Sequence, residues 1–163
     1  MNPQTTYQAW VAISQAAITL ERAVDQRLRP VKLNASQGMS LLVLEQHGPQ
    51  RMSYLARFLL QQTQTTTDLV DRLERRGLVR RIRHDTDRRV VLVEITDVGK
   101  GLINDISAAV YSVSEESIGK LSDREVTQMV ASAKKVRDIA AAAGNVPADH
   151  LNYAEERLAI AAS

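Results

Sequence analysis

Residues 65–81 have the sequence TTTDLVDRLERRGLVRR, and residues 90–95, a short distance along the chain, have the sequence VVLVEI. In the first stretch apolar and small side chains recur at steps of three and four, which predicts a helix over residues 63–76. The inward face of this helix is predicted to consist of Thr66, Leu69, Val70 and Leu73. Gly77 follows where a positive φ is favoured after a helix end. The second stretch is rich in β-branched residues and predicts a strand.

The segments on either side of this helix predict a winged helix-turn-helix. A short helix is predicted over residues 52–60, with Ser53 as its candidate cap, and two glutamines separate it from the longer helix. Two short helices with so brief a connection are typical of a helix-turn-helix. Apolar residues within 78–82 and the predicted strand flank a charged tip at residues 84–89, which indicates a β-hairpin. A hairpin directly after a helix-turn-helix is a wing.

Longer helices are predicted before and after this winged segment. They cover residues 5–28, 35–47 and 97–117, with a last helix from the capping box at 122–125 to Gly144 and a tail at 145–163 that has room for one more short helix. Pro30 ends the first helix, because the residue before a proline is disfavoured in helical geometry. The fold class is therefore mainly α with a small β-hairpin wing.

Composition excludes several classes of protein. A chain of 163 residues with 44% hydrophobic and 25% charged residues predicts one globular domain. It contains no cysteine, so disulfides, thiolate metal sites and thiol redox switches are excluded. No stretch resembles a membrane span or a signal peptide, and we expect a cytoplasmic protein. The three histidines lie far apart, and no glycine-rich phosphate loop or nucleophile elbow occurs, so we expect no enzyme activity, no cofactor and no metal.

Positive charge is concentrated in one short segment. Between positions 72 and 89 all eight basic residues are arginines, and three acidic residues oppose them. The eight are Arg72, Arg75, Arg76, Arg80, Arg81, Arg83, Arg88 and Arg89. Arginine suits forked contacts with phosphates and guanine edges, so the cluster favours nucleic-acid binding over an ordinary solvated surface. Of the five at the junction of helix and strand, we expect about half to meet phosphates and the others to form ion pairs with Glu74 or Asp85; the five are Arg75, Arg76, Arg80, Arg81 and Arg83.

Several motifs together resemble the MarR family of bacterial regulators. They are Leu55-Ala56-x-x-Leu59, the stretch at 65–81, D-x-D-R-R-x-V-x-V-x-I-T at 85–96, and Gly99-Lys100-Gly101. The resemblance implies a homodimer joined by its terminal helices. It divides the chain into an N-terminal dimerisation helix (1–34), a winged helix-turn-helix DNA-binding region (35–97), C-terminal dimerisation helices (98–144) and the tail (145–163).

The resemblance also implies a function. Members of the family usually repress genes and leave their DNA when a small, often aromatic, ligand binds. A two-fold dimer predicts a palindromic operator on double-stranded DNA, with half-sites about one helical turn, 10–10.5 bp, apart. Two alternatives stay open: a constitutive or architectural DNA-binding protein without ligand control, and a winged helix that binds an acidic protein partner.

The predicted DNA contacts lie at the start of the helix at 63–76 and on the wing. They are Thr63, Gln64, Thr65, Thr67, Asp68, Arg72, Arg83, Asp87, Arg88 and Arg89. Gln64 suits adenine, and threonine methyls suit thymine. The resemblance places Arg89 in the minor groove and gives Asp87 the role of bracing the hairpin turn. The family often has a glycine near Leu60, a serine or similar cap where Gln62 stands and a basic residue at Asp68, so these positions depart from its pattern.

An effector site is implied where the dimerisation helices meet the winged region. The candidate residues are Tyr7, Trp10, Met39, His47, Arg57 and Tyr111. Tyr7 and Trp10 combine an apolar ring with a polar group, which suits either an aromatic ligand or a dimer interface. His47, just before Gly48, suits the end of a helix, where a histidine interacts with the last carbonyls, better than it suits a ligand contact.

Overall fold

A computed structural model describes residues 2–84 and 89–144, and within these ranges the chain forms seven α-helices and three β-strands. In chain order they are α1 (Pro3–Leu28), α2 (Ala35–His47), β1 (Gln50–Arg51), α3 (Met52–Phe58), α4 (Thr63–Arg75), β2 (Val79–Arg83), β3 (Val91–Ile95), α5 (Asp97–Lys100), α6 (Ile103–Ser117) and α7 (Asp123–Ala143). Short 3-10 turns follow α1 and α6, at Arg29–Val31 and Ile118–Lys120. None of the helices in these ranges is long and apolar enough to cross a membrane. The predicted tail lies outside the described residues.

The three strands form one antiparallel sheet in the order β1-β3-β2. β2 and β3 make the predicted hairpin, with Arg83 opposite Val91. Beyond that pair the His84 N–H donates to the Val90 carbonyl at 3.0 Å, so the ladder continues toward the tip. The mainly α fold with a small wing is confirmed. β1 was not predicted, because two residues are too few to show an alternating pattern.

The hydrophobic core lies between α2, α3, α4 and the sheet, and it continues to α1 and α6. Its largest fully buried side chains include Phe58, Leu41, Leu44, Leu55 and Leu73. Leu28 at the end of α1 and Ile106 in α6 belong to the same cluster. Gly38 in α2 allows this close packing, since an added Cβ would lie 3.0 Å from Leu28 and 3.1 Å from Ile106. The winged region and the flanking helices therefore share one core.

The first predicted helix ends at Leu28 as expected but begins two residues earlier. It begins at Pro3 rather than at residue 5, because the Asn2 side chain accepts a hydrogen bond from the Gln4 N–H and caps the helix. Pro30 ends the α-helix as predicted, but it sits inside the 3-10 turn Arg29–Val31 rather than in an extended segment.

Two further local predictions were wrong. Arg51, not Ser53, occupies the position before α3, and no side chain caps that helix. The helix expected over 97–117 is interrupted between α5 and α6. The Thr96 hydroxyl accepts from the Gly99 N–H at 3.2 Å and donates to the Gly77 carbonyl, which holds α5 against the end of α4 as a separate turn.

The capping box predicted for the last helix is present. The Ser122 side chain accepts from the Glu125 N–H, and the Glu125 carboxylate accepts from the Ser122 N–H at 2.8 Å. Hydrogen bonds from the Ser122 hydroxyl and N–H hold the pKa of the Glu125 carboxyl below its usual value. The box therefore marks the start of α7 in the way the sequence indicates.

Two helices leave apolar side chains uncovered. Near the start of α1, Tyr7 and Trp10 are 65% and 64% exposed, and their ring centroids are 5.9 Å apart. Along α7 four apolar residues are also exposed: Met129, Val130, Val136 and Ile139. Ala141 is the one buried residue of α7. These apolar side chains of α7 are therefore not covered by the rest of the described chain.

Candidate nucleic-acid interface and ligand cavity

The recognition helix α4 is anchored by the four residues predicted to face inward. Thr66, Leu69, Val70 and Leu73 are all buried, and the Thr66 hydroxyl donates to the Gln62 carbonyl at 3.2 Å. The opposite face is exposed and carries Thr63, Gln64, Thr65, Asp68 and Arg72. Thr67 is half-buried, and its hydroxyl donates to the Thr63 carbonyl at 2.9 Å. The packing therefore presents five of the six predicted α4 contacts on one accessible surface.

The start of α4 has no side-chain cap. Gln62 stands at the cap position with extended backbone angles, and its side chain accepts no hydrogen bond from the first turn. The first N–H groups of a helix lack partners within the helix, and they carry the positive end of its dipole. A phosphate group is a favourable partner for such N–H groups. This helix start therefore suits a DNA backbone contact.

The turn between α3 and α4 forces a leucine into a left-handed conformation. Leu60 has φ +54°, its N–H donates to the Arg57 carbonyl, and the following Gln61 N–H donates to the Ala56 carbonyl. This pair of bonds is the Schellman arrangement, which usually places glycine where Leu60 stands. A non-glycine residue in this conformation costs about 1–2 kcal/mol. The leucine side chain is 66% exposed.

Arg81 joins the wing to the recognition helix. Its guanidinium on β2 binds the carboxylates of Asp71 and Glu74 on α4, and the Arg81 N–H donates to Glu74 at 3.0 Å. The hydrogen bond with Asp71, followed by the charge of Glu74, raises the pKa of the Arg81 guanidinium above its ordinary value. The predicted ion pair with Glu74 is confirmed, whereas Asp71 was not identified from the sequence. Arg81 is thus engaged within the protein.

Two other arginines of the cluster also have intramolecular partners. Arg80 pairs with Glu94 on β3 at 2.6 Å. Arg76 donates to the backbone carbonyls of Val31 and Lys32, which lie in the bend between α1 and α2. These bonds fix the sheet and the end of α4, so the two side chains serve the fold.

Like Arg76 and Arg80, the remaining described arginines of the cluster are exposed. They are Arg72 and Arg75 on α4, Arg83 at the end of β2, and Arg89 where the chain re-enters the hairpin. Arg75 also donates to the Asp71 carbonyl at 3.3 Å. The predicted contacts Asp87 and Arg88 lie outside the described residues, as does Asp85. The structure therefore places exposed cations on both α4 and the wing.

A cavity of about 500 Å³ lies where α1, α2 and α6 meet the turn between α3 and α4. Its lining is mostly aliphatic and consists of Ala17, Leu20, Glu21, Val24, Ala35, Ser36, Met39, Leu59, Leu60, Gln61, Val110, Val113, Ser114 and Ile118. Pockets of this size and apolar character are typical of small-molecule sites. The position is the one that sequence analysis expected for an effector.

The six predicted effector residues are not brought together by the structure. Met39 lines this cavity, and Tyr111 lines a second one of about 450 Å³ formed by residues of α2 and α6. Tyr7 and Trp10 lie on the exposed start of α1. His47 packs beside Tyr54, with ring centroids 6.2 Å apart. Arg57 is half-buried in α3 and, like Tyr7, Trp10 and His47, is absent from both linings.

Sequence analysis missed most of the residues that line the cavity. It looked for aromatic and charged side chains, whereas the lining is built largely from aliphatic residues that any core would contain. Gln61 is the one lining residue that the local sequence marks, because it is a polar residue that ends the apolar run before it. That signal predicts a turn and does not predict a cavity.

A helix-turn-helix with a β wing, an exposed polar recognition face and arginines beside it defines a winged helix-turn-helix DNA-binding protein. The model of the MarR family matches residues 33–91. The chain is 30% identical over 132 residues to the HTH-type transcriptional repressor NicR of Pseudomonas putida, covering 81% of this chain and 77% of that protein. The chain belongs to the MarR family of transcriptional regulators.

Other comparisons agree with this assignment. The HTH-type transcriptional regulator MhqR of Bacillus subtilis is 28% identical over 133 residues, which cover 82% of this chain and 92% of MhqR. The crystal structure of CouR from Rhodococcus jostii RHA1, bound to p-coumaroyl-CoA, has a TM-score of 0.66 and 27% identity, covering 77% of this chain and 88% of CouR. The protein is therefore a DNA-binding transcriptional regulator with the fold of this family.

Proposed function

We propose that two copies of this regulator bind a palindromic operator, and that a small ligand in the 500 Å³ cavity releases them from it. The main observation that supports this mode of DNA binding is the uncapped start of α4. The helix also has an exposed polar face, and the wing has exposed arginines. On this proposal α4 enters the major groove and presents Gln64, Thr65 and Asp68 to the bases. Thr63, Arg72 and Arg83 contact the phosphate backbone, and Arg89 enters the minor groove.

The proposed dimer joins the terminal helices of two chains. Its support is the uncovered apolar surface on α1 and α7, which includes Trp10 and Ile139. Burying such surface is favourable by about 25 cal/mol per Å². A second copy is the occupant we propose, since a two-fold dimer would present two α4 helices to two half-sites. Residues 1–34 and 98–144 would then serve dimerisation, and 35–97 would bind DNA.

Ligand control is proposed from the position of the cavity. Its lining includes residues of α1 and α6 on one side and Leu59, Leu60 and Gln61 of the helix-turn-helix on the other. A ligand there contacts both the proposed dimerisation helices and the turn that orients α4. The ligand in CouR supports this proposal, because a relative with the same fold holds a small molecule. We propose repression because the relative NicR is named a repressor, and we propose its release by a ligand from the position of the cavity alone. A regulator of chromosomal genes acts where the DNA lies, so we propose a cytoplasmic location.

The test is fluorescence-anisotropy binding to labelled duplex from the region upstream of the protein's own gene. Scrambled duplex is the competitor, and several salt concentrations are used. We expect tight, sequence-selective binding that weakens as salt rises, because each neutralised phosphate releases about 0.9 of a counterion. Arg89→Ala should weaken binding about tenfold, whereas Arg124→Ala, at an exposed site on α7, should not.

Three other outcomes would favour a different function. Selective binding that no small molecule alters would favour a constitutive or architectural factor. Equal, weak affinity for every duplex, combined with no palindrome enriched in a selection from genomic fragments, would contradict the operator proposal. In that case, capture of an acidic protein by the arginines of the wing would support the protein-interaction alternative.

A further inference from the structure

We propose that the ligand of the 500 Å³ cavity is a neutral or cationic molecule with an apolar body and a hydrogen-bond donor, and not an organic acid. The inference rests on the proposed effector role of this cavity. It concerns the chemical class of the ligand, which the charge and the free hydrogen-bonding atoms of the lining define.

The charge of the lining disfavours an anion. The described residues that line the cavity include no lysine, arginine or histidine, and Glu21 is the charged residue among them. Removing a carboxylate or phosphate from water without a partner cation is very costly. Arg27, one turn beyond Val24 on α1, is already bound to Ser112 and Glu116 on α6. The carboxylate of an acidic ligand would therefore lie near Glu21, with no basic residue of the lining to pair with it.

The hydrogen bonds of the lining leave an acceptor unused. The Ser114 hydroxyl donates to the Val110 carbonyl at 3.0 Å, and the Gln61 Nε2 donates to the Ser36 hydroxyl at 3.0 Å. The Gln61 Oε1 is buried, and no donor of the described residues reaches it. A buried acceptor without a partner costs about 1–3 kcal/mol, which a donor on the ligand would recover once the Gln61 side chain turns its Oε1 toward the cavity. Glu21 adds a second acceptor, so a donor-bearing ligand matches the lining.

The same residues connect the cavity to the recognition helix. Gln61 lies in the turn before α4, and its hydrogen bond to Ser36 joins that turn to the first residues of α2. Leu60 beside it holds the left-handed conformation with its side chain mostly exposed at the cavity. A ligand that packs on Leu60 and bonds to Gln61 therefore contacts the backbone segment that fixes the direction of α4.

The experiment uses three probes with one ring system and different charges: 1-naphthylmethylamine, 1-naphthalenemethanol and 1-naphthaleneacetate. Isothermal titration calorimetry measures the binding of each to the full-length protein, and anisotropy measures the operator affinity with each present. We expect the amine and the alcohol to bind and the acetate to bind at least about tenfold more weakly, as expected for an unpaired charge. The bound probes should lower operator affinity.

Variants assign the binding to the cavity. Glu21→Gln should bring the affinity for the amine down to that for the alcohol, while Glu115→Gln, an exposed acid on α6 outside the lining, should change neither. Gln61→Met should weaken the amine and the alcohol alike by about tenfold, the size expected for one hydrogen bond to a buried acceptor. Ala17→Phe adds a ring at the cavity wall and should block all binding.

The outcomes separate the ligand class from the effector role. If the acetate binds as tightly as the amine and Ala17→Phe abolishes its binding, the ligand class is wrong and the cavity remains the effector site. If Ala17→Phe changes the affinity of none of the probes, or none binds at millimolar concentration, both the ligand class and the effector role are overturned. Unchanged affinity for the amine in Glu21→Gln would overturn the role of Glu21 in selecting charge.

Discussion

The ion pairs of Arg81 predict that this arginine, unlike the exposed Arg83 on the same strand, stabilises the protein and does not bind DNA. Replacing it in Arg81→Met keeps an unbranched side chain and removes the guanidinium that joins β2 to Asp71 and Glu74 on α4. The two carboxylates then lie near each other without a cation. The hydrogen bond from the backbone N–H of residue 81 to Glu74 can remain, so we expect the fold to persist.

The magnitude follows from the exposure of the three side chains. They are 30%, 47% and 36% exposed for Arg81, Asp71 and Glu74, so solvent screens both pairs and each contributes at most about 1 kcal/mol. We expect a loss of about 1–2 kcal/mol in the free energy of unfolding. For a chain of this length that corresponds to a decrease in Tm of about 2–8 °C.

The assay compares Arg81→Met with Arg83→Met in two measurements. Thermal unfolding should show the decrease in Tm for Arg81→Met and little change for Arg83→Met, since Arg83 is exposed. The salt dependence of operator binding should show the reverse. Loss of one phosphate contact per protomer lowers the slope of log affinity against log salt by about 0.9, hence by about 1.8 for a dimer.

One result would refute this reasoning. If Arg81→Met lowers the salt slope by about 1.8 and leaves Tm unchanged, Arg81 contacts phosphate in the complex and its bonds to α4 contribute nothing. A loss in both measurements that is reproduced by Asp71→Asn would instead mean that the pairing orients the wing for DNA.

Three shorter predictions follow from other features. Gly99→Ala should destabilise the protein by about 1–3 kcal/mol in urea unfolding, because the added Cβ would lie 2.2 Å from the Leu78 carbonyl oxygen. The control Gly101→Ala should not destabilise it, and equal unfolding midpoints for the two variants would contradict the prediction. Asp68→Asn should weaken operator binding by removing a base contact and raise the affinity for scrambled duplex by removing an acid from the DNA-facing side, and unchanged operator affinity would remove Asp68 from the base contacts. Ile139→Lys should weaken the dimer in sedimentation equilibrium, and an unchanged dimer Kd would remove α7 from the proposed interface.

The recognition helix could be predicted from the sequence because its signals are local. The three- and four-residue spacing from Thr66 to Leu73 places four residues on one helix face, independently of the rest of the chain. Gly77 has the positive φ, +68°, that is expected after the helix. The hairpin and the capping box of α7 depend on equally short segments. The interruption between α5 and α6 was missed, because the hydrogen bond that holds α5 in place joins the Thr96 hydroxyl to the carbonyl of Gly77, which is distant in the sequence.

The roles of the arginines and the site of the ligand could not be obtained in this way. Whether an arginine forms an ion pair within the protein depends on acids brought near by folding, such as Asp71 for Arg81 and Glu94 for Arg80. The cavity combines four segments that are distant in the sequence, and its aliphatic residues resemble those of any core. The search for aromatic residues therefore selected Tyr7 and Trp10, which lie on an exposed surface of α1.

The bonds of Arg76 define a pivot at one end of the recognition helix. They hold the last turn of α4 to the carbonyls of Val31 and Lys32, so the bend after α1 and the C-terminal end of α4 move together. The other end of this 13-residue helix lies about 20 Å away, at 1.5 Å per residue. A tilt of about 10° around the pivot would displace Thr63 by about 3.5 Å, close to the roughly 3.4 Å between successive base pairs. A small change of angle at Arg76 is thus enough to shift the helix tip by one step along the DNA.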